Sequence, residues 1–259
     1  MGPTLLKTEA AARTTEFSHA DLAFDDRAED RESLKFLLFG LLLSPVFAYL
    51  PYLQFFDWFL SSLFHESGHC LFAWMMGQPA FPAISLTGHA AAMHQDQSLV
   101  LAIGVGVSFV AGAWHFRDHK VLHWSLIAAA IVQPLLAFTN GKEVLFLAGG
   151  HLGELIFATV CFWRTLQGGF TQNNLERLLY GVLGWYLLGS NLALSLGLMF
   201  SETARQTYAN NGSFGLTNDY LRLAHDVLDV SLGSVAFVML LVSLLPLPIA
   251  LVLWRKQAI

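Results

Sequence analysis

Three residues in an otherwise apolar stretch have the types and spacing of a metal site. The segment "SSLFHESGHCLFAWMMG" (61–77) contains His65, Glu66 and His69. On a helix, residues four apart share a face, so His65 and His69 can aim their imidazoles at one zinc ion. Glu66 then stands beside the metal, where a carboxylate can take a proton from water and pass it to a leaving amine. A charged group at mid-membrane costs about 2.5–3.5 kcal/mol. Two imidazoles and a carboxylate on one greasy helix therefore point to a compensating cation rather than to a bare hydrogen-bonded cluster.

The helix that must carry them belongs to a membrane protein. Of 259 residues, 55% are hydrophobic and 13% charged, and the mean hydropathy is +0.53. A soluble domain would carry roughly a quarter charged residues. Apolar segments at 34–56, 58–76, 98–114, 123–139, 144–163, 176–200 and 228–254 predict an all-α polytopic fold with about six to seven transmembrane helices. Trp58, Trp114, Trp124, Trp163 and Trp254 lie near their ends, as interfacial anchors do. Residues 77–97 lack Lys and Arg and hold two prolines, which suits a re-entrant segment or short strands lining a site.

Residues 1–33 read as a polar acidic tail, cytoplasmic and flexible, and 34–259 as one integral membrane domain. The tail has no charged-then-apolar pattern of a secretory signal. Arg31 and Lys35 place the N-terminus inside, and six effective crossings return the C-terminus to the same side. No basic patch invites nucleic acid. Cys70 and Cys161 sit far apart in apolar segments and read as small buried hydrophobes.

The stretch "FHESGHCLFAWMMG" resembles the zinc helix of the site-2 protease family of intramembrane metalloproteases (peptidase family M50). That helix reads as an apolar run, HExGH, a small residue, more apolar residues and a glycine; Gly68, Cys70 and Gly77 stand at the small positions. The resemblance spans about residues 62–82. It implies a zinc-dependent protease, resident in a bacterial inner membrane or its equivalent, that cuts a membrane-protein or peptide substrate within or beside the bilayer. The family takes its third ligand from an aspartate in an Asn-Pro…Leu-Asp-Gly motif on a later helix, and this chain has no such motif.

A catalytic zinc needs a third protein ligand and an open position. In "LAGGHLGELIFA" (147–158), His151 and Glu154 lie three apart on one helical face, and the neighbouring glycines permit close helix approach. Glu154 is the favoured ligand by chemistry, with His151 as the alternative and the other member orienting a ligand from behind. Asp219, His225, Asp226 and Asp229 cluster before the last apolar segment; Asp226 or Asp229 is the reserve ligand, although solvated loop acids explain the cluster more simply. His115, His119 and His123 recur at four-residue spacing, but their interfacial placement favours no metal. Asn140, His89 and His94 are candidate substrate contacts, and 77–97 could pair with an extended substrate strand.

These residues predict a zinc-dependent intramembrane endopeptidase with Glu66 as general base. The competing expectation is a protease-like membrane protein that holds metal as a structural or regulatory scaffold and cuts nothing. A transporter is a weaker third, since no inverted repeat is evident.

Overall fold

The computed structural model describes residues 19–50, 53–85, 89–167, 173–210 and 218–257. Ten α-helices are seen among them: α1 His19–Tyr49, α2 Gln54–Met75, α3 Leu99–His115, α4 Lys120–Ala137, α5 Gly141–Gln167, α6 Asn174–Phe200, α7 Glu202–Asn210, α8 Asp219–Arg222, α9 Leu232–Ser243 and α10 Pro246–Gln257. Strands β1 (Ala80–Ser85) and β2 (His89–His94) form an antiparallel hairpin after α2. The fold is all-α apart from that hairpin.

Four helical stretches among the described residues are long and apolar enough to cross a bilayer: α4, α5, α6 and the α9–α10 pair taken as Leu232–Arg255. That falls short of the six to seven expected. Helix α3 is apolar but only 17 residues long. Helix α1 runs unbroken from the acidic stretch into the apolar one, so the flexible tail expected over 1–33 ends in helix from His19 onward. Residues 1–18 lie outside the described part. The re-entrant segment expected at 77–97 is the hairpin.

The helices bury little of their outer faces. Leu42, Val100, Val121 and Leu135 are each more than 60% exposed. Large apolar side chains turned outward around a helical body are what a lipid solvent permits. Helix α5 is the centre: 56% of its apolar window is buried, against 11% for α4. Packed around α5 are α2, α6, α10 and, less extensively, α1.

The closest of these contacts joins α2 to α5. A Cβ added at Gly68 would strike the Gly149 carbonyl oxygen and lie 2.8 Å from the Gly153 Cα. Small residues let two membrane helices meet backbone to backbone, and here the meeting point lies inside the HExxH segment itself. A second lock uses Arg177, buried at the start of α6. Its Nε donates to the Thr165 carbonyl at 2.6 Å and its Nη2 to Ser33 Oγ at 2.5 Å, joining α6 to α5 and α1.

Helix α2 ends where Gly77 takes a positive φ of 80°, the left-handed turn that closes many helices. The Gln97 and Gln133 side chains donate to the Met76 and Met75 carbonyls left open there, at 2.8 and 3.1 Å. Trp74 Nε1 donates to the Ala80 carbonyl at 2.7 Å, so the hairpin starts pinned to α2.

Gly68→Ala is expected to force α2 and α5 apart and lower the stability of the detergent-solubilised protein by about 1–3 kcal/mol. An unchanged thermal unfolding midpoint in that variant would refute the contact.

Candidate metal centre

Helix α2 supplies two of the converging atoms. His65 Nε2 and His69 Nε2 lie 3.1 Å apart. The partner that closes on them is Asp219, whose Oδ2 is 3.0 Å from His65 Nε2 and 3.1 Å from His69 Nε2. Two bonds of about 2.0–2.1 Å at a tetrahedral angle separate their ligand atoms by about 3.3 Å, so this triangle is of the size a zinc ion spans.

The protonation pattern argues for a cation as well. His69 Nδ1 sits 2.6 Å from the Phe146 carbonyl, which can only accept, so Nδ1 carries the hydrogen. The Nε2 of a neutral His69 then offers a lone pair to the point where His65 and a carboxylate also converge. A metal ion at that point meets all three atoms at once. Burial would raise the Asp219 carboxyl, but the two imidazoles against it outweigh burial and hold it well below its ordinary range. A set of two histidines and one carboxylate, with a fourth position left over, fits a catalytic zinc.

Asp219 is carried by α8, a single turn anchored beside the site. Tyr220, Leu223 and Ala224 are buried together with Leu147 of α5, Leu198 of α6 and Val235 of α9. The chain then widens into a π-helical turn, Leu223–Val227, and Asp229 adopts a φ of +50° just after it. Such turns let one side chain aim where a regular helix would not. Gly150 of α5 forms the floor of the site. A Cβ there would strike the His65 imidazole and lie 2.6 Å from His69 Nε2.

Behind His65 lies a second buried group. Glu154 Oε1 is 3.5 Å from His65 Nδ1, and Glu154 Oε2 is 3.1 Å from His151 Nδ1. Asn191 Nδ2 donates to Oε2 at 2.8 Å and Ser61 Oγ to Oε1 at 3.3 Å. A buried carboxylate with several donors around it is a satisfied one, and it presents an acceptor to the ring nitrogen that the triangle leaves over. Among the described residues, two groups of three possible ligands come close enough to share one ion: His65 with His69 and Asp219, and His65 with His151 and Glu154. His65 belongs to both. Glu154 and His151, singled out from sequence, thus border the site through His65, while Asp219 touches both α2 histidines.

Glu66 is buried on α2 between those histidines, and the hairpin meets it. The Gln95 amide donates to the Pro79 carbonyl at 2.9 Å. Counting in twos along the register places Pro82 and Ala92 at a pair that exchanges no ladder bonds. Pro82 therefore forfeits nothing, and the Ala92 N–H turns outward from β1 toward the Glu66 carboxylate.

The other sequence candidates are scattered. Asp226, the reserve ligand, is exposed and belongs to neither group, as is Asp229, because the π-helical turn carries both past the triangle. Asn140 is exposed at the entry to α5, where its carbonyl accepts from the Glu143 and Val144 amides. His94 stacks edge-on against Phe146 with ring centroids 4.7 Å apart, one side chain away from His69. His89 opens β2; its side chain lies outside the described part. His123 Nδ1 donates to the Ala113 carbonyl at 2.8 Å, and among the described residues His123 shares no ion-sized group with His115 and His119. Cys70 and Cys161 are buried and unpaired.

Sequence reasoning left out Asn191 and Ser61. Their signal was the one that exposed Glu154, a polar side chain inside an apolar helix with nothing but a partner to justify it.

Compared with protein-family models, curated proteins and solved structures, the chain matches none.

Asp219→Asn is expected to lower the zinc content of purified protein well below one ion per chain, with His69→Ala doing the same. Metal analysis reads both. Full zinc occupancy in Asp219→Asn would remove Asp219 from the centre.

Proposed function

We propose that this chain is a zinc-dependent endopeptidase working within the membrane on a membrane-protein or peptide substrate. The observation that carries the reading is the convergence of His65 Nε2, His69 Nε2 and Asp219 Oδ2, all within 3.1 Å of one another, beside a buried Glu66. His65, His69 and Asp219 would hold the ion. A zinc ion there polarises a peptide carbonyl and makes a water more acidic.

The remaining work falls to the protein. Glu66, next in sequence to His65, takes the proton of the attacking water and returns it to the amine that leaves. The Phe146 carbonyl fixes the tautomer of His69, and Glu154 faces the far nitrogen of His65, so both rings are held with Nε2 forward. Packing of α2 on α5 keeps bulk water out of the back of the site. The outer edge of β2 runs beside Glu66, where an extended substrate segment can add as a strand. The chain is read as multi-pass, with its N-terminus cytoplasmic.

Glu66→Gln is expected to retain zinc and to lose at least a hundredfold in cleavage of a membrane-inserted reporter peptide. Glu154→Gln is expected to weaken zinc affinity about ten- to a hundredfold, read by competition with a chelator. Zinc-loaded wild-type protein that cuts none of a panel of transmembrane reporters would instead favour the metal-holding scaffold. Cleavage that survives Glu66→Gln would overturn the assignment of the base.

A further inference from the structure

Next to the metal centre is a polar cavity of about 340 Å³, within the size range of ligand sites. It is not an extension of the donor triangle but shares walls with it. Phe146, whose carbonyl holds His69, lines it. So does Arg222, one helical turn from Asp219 on α8. Lys142, at the start of α5, lines it as well, as does Gln97.

The two cations are half-buried and barely engaged. Lys142 Nζ reaches only Gln97 Oε1, at 3.4 Å. Arg222, among the described residues, has no side-chain hydrogen bond, ion pair or ring contact. A half-buried guanidinium that meets no acceptor is a cost unless something arrives to pair with it. Asp96, Glu143 and Asp226 also line the cavity, and all three are exposed. Solvent screens exposed charges more than half-buried ones, so Arg222 and Lys142 are the less screened of the five.

We propose that this cavity binds a carboxylate of the substrate, held by Arg222 and Lys142, and so selects peptides with an acidic group one or two residues from the bond at the metal centre. The inference rests on the peptidase reading and adds to it the chemistry of the preferred substrate. Arg222 is the better anchor, because its planar fork can pair a carboxylate at both oxygens. Phe146 stands between cavity and donor triangle, which sets the spacing at about one side chain. The carboxylate is either an aspartate or glutamate side chain or the free C-terminus of the peptide.

The test uses fluorescein-labelled apolar peptides of about 20 residues, long enough to span a micelle. A single aspartate is walked through the central positions, with asparagine at the same place as control, and each peptide is prepared with a free and an amidated C-terminus. Binding is measured to full-length Glu66→Gln protein and cleavage with the wild type. Aspartate at one or two adjacent positions is expected to tighten binding about tenfold over asparagine. Arg222→Gln and Lys142→Gln should each reduce that preference, Arg222→Lys should keep part of it, and Arg222→Glu should shift it toward a lysine-bearing peptide. Zinc content checks that Asp219 is undisturbed in each variant. A preference that disappears on amidation assigns the carboxylate to the chain end.

Equal binding of aspartate and asparagine peptides at every position, with no loss on amidation, overturns the carboxylate site even where the wild type cleaves them. A preference that survives both Arg222→Gln and Lys142→Gln overturns it too. A preference abolished by those variants, with no cleavage by the wild type, supports the site and counts against the peptidase reading.

Discussion

Two helices meet here at the distance of bare backbone, and the meeting point is Gly68. Any side chain at that position would collide with the main chain of α5. The contact matters because Gly68 lies between Glu66 and His69, so the surface of α2 that bears the imidazoles is pressed onto the surface of α5 that bears Gly150, His151 and Glu154. Backbone proximity is what allows a carboxylate on one helix to reach the back of a histidine on the other. A pair of ordinary leucine-lined helices would stand 8–10 Å apart, axis to axis, and their short side chains could not meet in this way.

The arrangement also divides labour between two carboxylates. Glu154 is enclosed and surrounded by Asn191, His151 and Ser61. Asp219 is half-buried, and its oxygen lies against the front nitrogens of both histidines. Each imidazole has an acceptor behind it, Glu154 for His65 and the Phe146 carbonyl for His69, which leaves the front of each ring aimed at one point. Buried polar groups in lipid are tolerated only when partnered, and behind the triangle Glu154, His151, Asn191 and Ser61 partner one another.

Much of this was legible in the sequence. The HExxH spacing and the glycines of "LAGGHLGELIFA" carry the α2–α5 pair, since helical periodicity and the cost of burying charge act locally. Asp219 was legible only as one acid among several near 219–229. Which of them reaches the histidines depends on where a one-turn helix is docked by Tyr220 and on a π-helical turn beyond it, and neither is encoded by a local period. The number of spans was overread for a related reason. Apolar runs mark burial in lipid or in protein alike, while α3 is too short to count, and the site residues of α2 dilute that helix. The segment 77–97 was ambiguous because prolines and small residues suit both a re-entrant loop and strands. The ladder alternation that accommodates Pro82 decided for strands.

Asp219 stands 150 residues beyond His69. A chain made from its N-terminus has α2 and α5 in place, with the histidines already paired to their supports, while the third member of the triangle has yet to be synthesised. The centre therefore closes only once α8 has been added and has docked among α5, α6 and α9. A chain released early would carry the HExxH helix and its buried glutamate without the triangle.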